Sequence, residues 1–243
     1  MIIRDITSSE MTLFASIVGR LQISNSVESV RSAILPDVVK LLRADGGSSF
    51  IWRDAERKFC NGLNFGIAPE IHSLYVDWFQ TRDPMTFKMR ANGRATIVDQ
   101  VLARSDLLKS EFYNDMLKID GLEWGINLYS FDDQNRDLGD LRVWRRKDKE
   151  NFEDREKMLL DIIEPLFRTS LLRENAQRVS LTPREREVVE LMSRGCTDRD
   201  IARILGMSFS TVRTHLNKTM DKFGCANRAE LAATFVKQHG MVS

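Results

Sequence analysis

The sequence has 243 residues, of which 42% are hydrophobic and 29% are charged, and its formal net charge is +1. These proportions are those of ordinary globular domains and exclude collagen-like, disordered and membrane-embedded proteins. The length favours two domains, and three widely separated cysteines argue against a disulfide framework and a zinc site. Because the N-terminus has no basic segment followed by an apolar run, we expect a cytoplasmic protein that does not contact a membrane.

The hydrophobic periodicity up to residue 150 predicts an α+β domain. Helices are expected over residues 9–21, 26–42, 69–81 and 110–119, and strands over 48–52, 57–60, 94–98, 122–131 and 138–145. The last two strands flank a polar loop and are expected to pair as a hairpin. This acidic loop lacks the glycine and the terminal glutamate of a calcium-binding loop, so no metal is expected there. The order predicts an α/β/α sandwich around an antiparallel sheet.

A long helix is predicted over residues 152–177, because apolar residues recur at helical intervals between Met158 and Leu171. Pro165 is expected to kink this helix or to split it in two. Residues 173–178 are polar and lack an apolar stripe, which indicates a domain boundary. We therefore expect an N-terminal domain of residues 1–172, a linker of residues 173–179 and an all-α, four-helix domain of residues 180–243.

The C-terminal domain has a small excess of positive charge and clear helix caps. It carries 10 lysines and arginines against 7 acidic residues, whereas the remainder carries 26 against 28. Capping residues precede four helices: Thr182 with Glu185, Thr197 with Asp200, Ser208, and Asn227 with Glu230. Gly206 and Gly224 are expected to end the second and third helices. A short turn between two helices is typical of the helix-turn-helix that reads DNA.

The third of these helices, residues 209–223, is the predicted recognition helix. Its apolar stripe consists of Val212, Leu216, Met220 and Phe223. The opposite side carries Ser210, Arg213, Thr214 and Asn217, with Lys218 and Lys222 at its flank. Arginine can pair with guanine and asparagine with adenine, whereas lysines suit phosphates. The same caps are compatible with a protein-binding module, but this combination on one face favours DNA.

Residues 181–230 resemble the LuxR-type, or GerE-like, DNA-binding domain. The matching residues are Leu181-Thr182-x-Arg184-Glu185-x-Glu187-Val188, Gly195, Ile201-Ala202, Leu205, Ser208-x-x-Thr211-Val212-Arg213-x-His215, Lys222-Phe223-Gly224 and Asn227-Arg228-Ala229-Glu230.

The resemblance implies three sets of contacts. Bases would be contacted by Arg213, Thr214 and Asn217, and DNA phosphates by Ser210, Thr211, Lys218 and Lys222. Thr182 and Ser208 complete the DNA-binding set, and His215 contacts either the DNA backbone or a neighbouring helix. Dimerisation would use the last helix, at Leu231, Ala232 and Phe235.

The first 178 residues lack the alternating βα units of a phosphorylated receiver and the phosphate-binding motif of an ATP-driven regulator. Their element order resembles the GAF/PAS-like fold and the autoinducer-binding domain of quorum-sensing LuxR proteins. The matching residues are Tyr75-x-x-Trp78-Phe79, Asp83-Pro84 and Gly121-Leu122-x-x-Gly125. The tryptophan expected shortly after Asp-Pro is missing, which argues against an acyl-homoserine lactone as the ligand.

The resemblance implies a ligand pocket in this domain. Asp83 would bond the ligand, and the further lining candidates are Trp52, Tyr75, Trp78, Phe79 and Trp124. Core packing is the competing interpretation of the tryptophans, and capping of a helix that begins at Pro84 is the competing interpretation of Asp83. No cofactor and no catalytic set is indicated.

The sequence thus predicts a transcriptional regulator and not an enzyme. Its expected partners are palindromic double-stranded DNA, a second copy of the chain and a small-molecule or protein effector of the sensor domain. The alternatives are a ligand-independent regulator whose N-terminal domain binds proteins, and an enzyme fused to a DNA-binding module.

Overall fold

The structure, a computed structural model, describes residues 5–23, 29–54, 56–178 and 181–239. The chain divides into two compact units, Met1–Glu174 (unit 1) and Asn175–Ser243 (unit 2). No helix within the described ranges is long and apolar enough to cross a membrane.

The described part of unit 1 contains helices and strands in a mixed order. They are α1 (Ser8–Ile23), α2 (Val30–Leu41), β1 (Gly46–Arg53), β2 (Lys58–Phe65), α3 (Pro69–Asp77), α4 (Thr86–Ala91), β3 (Thr96–Ile97), α5 (Arg104–Lys109), α6 (Glu111–Asp115), β4 (Leu122–Phe131), β5 (Asp137–Arg146) and α7 (Asp154–Arg178), whose last turn belongs to unit 2. Short 3-10 turns follow α3, β3 and α6.

The strands form one antiparallel sheet in the order β2-β1-β5-β4-β3 within the described residues. Successive side chains of a strand point to opposite faces. Leu141 and Val143 of β5 therefore join the core beneath α1, α2 and α7, whereas Trp144 joins the core beneath α3 to α6. Helices thus cover both faces, which confirms the expected α/β/α sandwich.

The predictions fail mainly in short elements. The strand predicted over 57–60 continues to Phe65, the strand over 94–98 is reduced to two residues, and the helix over 69–81 ends at Asp77. The first residues of the helix predicted over 26–42 lie outside the described residues, and α2 begins at Val30. Helices α4 and α5 were missed because six residues are too few to display a helical stripe.

Helix α7 corrects two expectations. It continues through Pro165 as one helix, because Ile163 and Phe167 on either side of the proline are fully buried and hold both halves against the core. Packing here outweighs the cost of about 3 kcal/mol that a proline brings to a helix interior. The helix also continues to Arg178, so most of the segment expected to be a linker is helical.

Unit 2 consists, after the end of α7, of α8 (Pro183–Ser193), α9 (Asp198–Leu205), α10 (Phe209–Phe223) and α11 (Arg228–His239). The capping boxes at Thr182 and Thr197 are present, with each hydroxyl accepting the backbone N–H three residues on. Gly206 and Gly224 end α9 and α10 with φ of 63° and 65°, a backbone conformation that favours glycine. The described core of this unit is built from its own residues: Val188, Val189, Met192, Ile201, Val212, Leu216, Leu231 and Phe235.

Candidate DNA-binding face and ligand cavity

Helix α10 presents a polar side to solvent because its apolar side is occupied. Val212 is fully buried and Leu216 is nearly so, packed against α8 and α11 residues. The exposed residues of α10 include Phe209 and Asp221, and also Ser210, Thr211, Arg213, Thr214, Asn217 and Lys218. The latter six were assigned to DNA from the sequence, and they lie on the side of the helix opposite the core.

The start of α10 is a cluster of hydroxyl groups. Ser208 Oγ accepts the backbone N–H of Thr211 at 3.1 Å and lies 2.8 Å from Ser210 Oγ. Thr214 Oγ1 donates to the carbonyl of Ser210 at 3.0 Å, so this hydroxyl proton is used within the helix. Among the described residues Arg213 has no carboxylate partner, and its guanidinium lies 5.9 Å from the Phe209 ring centroid.

Lys222 has a structural role that the sequence analysis missed. Its Nζ lies 2.5 Å from Oε2 of Glu185, the carboxylate of the capping box that begins α8. Burial alone would raise the pKa of Glu185, but Lys222 and the hydrogen bonds from Thr182 lower it below its ordinary value. Lys222 therefore ties the end of α10 to the start of α8, and its contact with DNA phosphates stays a prediction. The partners lie 37 residues apart, so no local spacing indicated them.

The structure also corrects the dimerisation residues of α11. Leu231 is fully buried and Phe235 is 5% exposed, both in the core of unit 2, and Ala232 packs against the same core. These side chains are occupied within one chain and do not form an exposed surface. His215 is half-buried, and its Nδ1 is a buried atom without a hydrogen-bond partner in the described ranges, so that atom makes no hydrogen bond between helices there.

Unit 1 contains a cavity between its sheet and helices α3 to α6. Its volume is about 30 Å³, room for one or two water molecules. Its walls are mostly apolar, and its polar lining residues are Ser48, His72, Tyr75, Asp83, Thr86, Asn127 and Arg142. Burial lowers the pKa of His72, which favours its neutral form.

Two of the six ligand candidates, Tyr75 and Asp83, line this cavity. The other four lie elsewhere. Trp78 is 48% exposed, with the Arg82 guanidinium 3.4 Å from its ring centroid. Trp124 packs against the core on the opposite face and donates from Nε1 to the carbonyl of Lys149.

The remaining two candidates are packed in the aromatic core beside the cavity. Phe79 is buried edge-on against Phe112, at 5.7 Å between ring centroids. Trp52 packs edge-on against Phe59 and Phe87, at 4.9 and 5.2 Å. Core packing, the competing interpretation, therefore describes both of them.

Asp83 is a capping residue as well as a cavity residue. Its Oδ1 accepts the backbone N–H groups of Met85 and Thr86, both at 2.9 Å. Its Oδ2 accepts the Thr86 hydroxyl at 2.5 Å and the Tyr75 hydroxyl at 3.4 Å. The carboxylate thus caps the turn before α4. This helix begins at Thr86, two residues after the start at Pro84 that the sequence predicted.

Arg142 is a buried cation that the sequence analysis missed. Its Nε and Nη2 donate to Asp140 Oδ2 at 2.9 and 2.7 Å, and Nη1 donates to the Tyr75 hydroxyl. Its guanidinium carbon lies 4.2 Å from the ring centroid of Phe59 and 4.8 Å from that of Phe50. Burial disfavours its charge, but the Asp140 carboxylate outweighs this and raises the pKa of Arg142 above its ordinary range. A charged residue within the apolar run of β5 was the sequence signal that could have indicated this buried cation.

The C-terminal sequence matches a known family. Residues 179–235 match the family described as "Bacterial regulatory proteins, luxR family". A putative HTH-type transcriptional regulator of Mycobacterium tuberculosis is 50% identical over 52 residues, which cover 21% of this chain and 6% of that protein. A monoamine regulon transcriptional regulator of Klebsiella aerogenes is 25% identical over 174 residues, which cover 71% of this chain and 76% of that protein.

Solved structures match the fold over most of the chain. SdiA of Escherichia coli has a TM-score of 0.54 at 19% identity, covering 96% of this chain and 99% of SdiA. SdiA in complex with octanoyl-rac-glycerol gives a TM-score of 0.55, also at 19% identity, covering 98% of each chain. The GAF domain of an Acinetobacter phosphoenolpyruvate-protein phosphotransferase has a TM-score of 0.50 at 12% identity, covering 70% of this chain and 97% of that one. These likenesses confirm a GAF-like fold followed along the chain by a helix-turn-helix domain.

The buried pair predicts a strongly non-additive mutant cycle. Arg142→Met leaves Asp140 buried without its cation, and we expect it to lower the free energy of unfolding of unit 1 by about 3–5 kcal/mol. Adding Asp140→Asn removes the uncompensated charge and is expected to recover a large part of this loss, as measured by urea denaturation. Arg146→Met, on the same strand but half-exposed, is the control and is expected to cost less than about 1 kcal/mol. Equal losses for the single and double variants would contradict the interpretation.

Proposed function

We infer that this chain, a transcriptional regulator whose residues 179–235 form a LuxR-type DNA-binding domain, binds a two-fold symmetric operator as a homodimer controlled by a small molecule in the unit 1 cavity. We assign it no catalytic activity, since the relatives are named as transcriptional regulators. We place it in the cytoplasm, where its DNA target lies.

The DNA contact rests on one observation: the polar side of α10 is exposed while its apolar side is buried. Arg213 and Asn217 are four residues apart and therefore lie one above the other on that side, with Thr214 beside them. We assign base contacts to these three residues. Lys218 and the hydroxyls of Thr182, Ser208, Ser210 and Thr211 are assigned to phosphates.

The homodimer rests on helix α7. Ile162, Pro165, Thr169 and Leu172 are exposed at intervals of three, four and three residues, the spacing of a coiled-coil seam. Ile162 is 47% exposed and Leu172 is 38% exposed, whereas the other side of α7 is buried in the core of unit 1. A second copy related by a two-fold axis would cover this stripe with its own. We propose this stripe of α7 as the dimer interface, in place of the α11 residues.

Small-molecule control rests on the cavity. It is enclosed between sheet and helices, mostly apolar, and holds a few polar groups, which is the usual composition of a ligand site. The related fold of SdiA is known in complex with octanoyl-rac-glycerol. Since the cavity is small, a ligand of that size would bind a state with its walls moved apart, and its binding would shift the population toward that state. We propose that this shift changes how readily the dimer engages both half-sites.

Arg213→Ala is expected to reduce specific DNA affinity by about 1–3 kcal/mol and to relax base preference at one position, because a paired contact to a base is lost. The measurement is fluorescence anisotropy on duplexes selected by the wild-type protein from a random pool. Lys218→Ala is the comparison, expected to weaken binding to all sequences alike and to reduce the salt dependence. Unchanged affinity and base preference in Arg213→Ala would show that the wrong face has been assigned.

The double variant Ile162→Glu/Leu172→Glu is expected to be monomeric. Burying four such side chains in a symmetric interface contributes several kcal/mol, so we expect the dimer dissociation constant to rise by at least about a hundredfold. Analytical ultracentrifugation of the full chain measures this, with circular dichroism as a check on folding. Ile119→Glu is the control, since Ile119 is 67% exposed outside α7. A double variant that stays dimeric, or a monomeric wild type, contradicts the α7 interface.

Octanoyl-rac-glycerol is expected to change operator affinity and to stabilise unit 1, by about 2.7 kcal/mol at a concentration of 100 times its Kd. Thermal melting and anisotropy measure the two effects. Met116→Trp fills the cavity and is expected to abolish both, whereas Ile119→Trp, exposed nearby in sequence, is expected to retain them. If neither this compound nor a panel of acyl-homoserine lactones has an effect, the proposed ligand control is wrong. The proposed DNA binding is tested separately by Arg213→Ala.

A further inference from the structure

We propose that Asn127 selects the ligand of unit 1, and that this ligand is a small uncharged molecule that donates one hydrogen bond, from a hydroxyl or an amide N–H, to Asn127 Oδ1. The proposal rests on the proposed function of the cavity as a ligand site. It names a residue that the sequence comparison with autoinducer-binding domains did not indicate.

Asn127 is a buried polar side chain with one unused atom. It lies on β4, lines the cavity and is 1% exposed. Its Nδ2 donates to the Tyr129 hydroxyl at 2.9 Å and lies 3.5 Å from Met89 Sδ. Its Oδ1 is buried and has no hydrogen-bond donor in the part of the chain that the structure describes. Buried carbonyl oxygens are rarely left without a partner, so a donor from outside the chain fits here.

The neighbouring hydrogen bonds determine which atom of the Asn127 amide is left without a partner. Asp83 Oδ2 accepts the Thr86 hydroxyl proton, so Thr86 Oγ1 is left as an acceptor for Tyr129. The Tyr129 hydroxyl donates to Thr86 and therefore presents its own oxygen as an acceptor to Asn127. An acceptor needs Nδ2 opposite it, and this leaves Oδ1 as the amide atom without a partner. The Asp83 carboxylate, at one end of this series of hydrogen bonds, thus determines that Asn127 Oδ1, at the other end, is an unused acceptor.

The charges around the cavity disfavour an anionic ligand. Among the described residues that line the cavity, Arg142 carries a positive charge, whereas burial favours the neutral form of His72. Three N–H groups of Arg142 are used by Asp140 and Tyr75. A ligand carboxylate would meet a guanidinium already paired with Asp140 and would lose its hydration, and a ligand ammonium would also lose its hydration. An uncharged donor avoids both costs.

The rest of the lining is apolar and fits a hydrocarbon or aromatic body. Ile67, Ile71, Phe112, Met116 and Leu117 are among its apolar lining residues. A molecule with one polar end and an apolar remainder matches this division, because its donor meets Asn127 while its apolar part replaces water at these side chains.

The test compares probes that differ in one donor. 2-Phenylethanol carries a hydroxyl, 2-phenylethyl methyl ether has the same body without the O–H, and phenylacetate replaces the hydroxyl group by a carboxylate. For the full-length wild type, we expect 2-phenylethanol to bind at least about tenfold more tightly than either of the others. Calorimetry and ligand-observed NMR measure the three affinities.

Variants assign the difference to Asn127. Asn127→Leu has a similar shape without the acceptor, and it is expected to bind the alcohol as weakly as the ether. Asn92→Leu is the matched control, because it makes the same change at an exposed position outside the cavity lining, and it is expected to keep the tenfold preference. If Asn127→Leu does not fold, the ratio of the wild-type affinities for the alcohol and the ether still tests the proposal.

Several results would overturn the proposal. These are ether or phenylacetate binding as tight as that of the alcohol, a preference that persists in Asn127→Leu, or no binding of the alcohol up to about 10 mM, the weakest affinity expected for a ligand of this size. Octanoyl-rac-glycerol is measured in parallel. If it binds while the alcohol and ether do not differ, the cavity remains a ligand site and the role of Asn127 is wrong.

Discussion

The buried guanidinium of Arg142 must have a carboxylate beside it, and the cavity face of unit 1 is organised around that requirement. Asp140 supplies the carboxylate from the same strand, two residues away and therefore on the same face. Arg142 also donates to Tyr75, whose hydroxyl lies against Asp83. Polar groups thus enter this face as a connected set, while the opposite face of β4 and β5 carries mainly apolar residues such as Ile126, Leu128, Leu141 and Val143. The sheet in this way separates a structural core from a core that contains a polar cavity.

Helices α7 and α10 illustrate two ways in which an amphipathic helix can serve a partner. Helix α10 buries one apolar side and exposes polar groups, which suits the edges of bases. Helix α7 buries one apolar side and exposes a second, narrower apolar stripe, which suits another helix. The sequence pattern of α7 does not separate the two sides, because its apolar residues form one broad band and only the sheet beneath decides which of them are covered.

Local patterns predicted the parts of the structure that depend on neighbours in the sequence. The capping boxes at Thr182 and Thr197 and the glycine ends of α9 and α10 follow from contacts within a few residues, and all are present. Contacts between distant residues could not be read in this way. The pairing of Lys222 with Glu185 and the burial of Phe235 depend on how four helices pack together.

The candidate ligand residues divide along the same line. The resemblance to autoinducer-binding domains indicated a pocket but not its full lining, since a tryptophan can equally well pack in a core. Tyr75 and Asp83 were found because a motif marked them. Asn127 and Arg142 were missed because strands without an exposed face show no alternation to reveal which side a residue takes.

The core of unit 2, as far as the structure describes it, draws its side chains from residues 181–235 alone. These side chains form a core without a contribution from the described residues of unit 1. In the homodimer proposed above, an effector of unit 1 would therefore act on how two folded DNA-binding units are presented to the operator, and not on whether the recognition helix is folded.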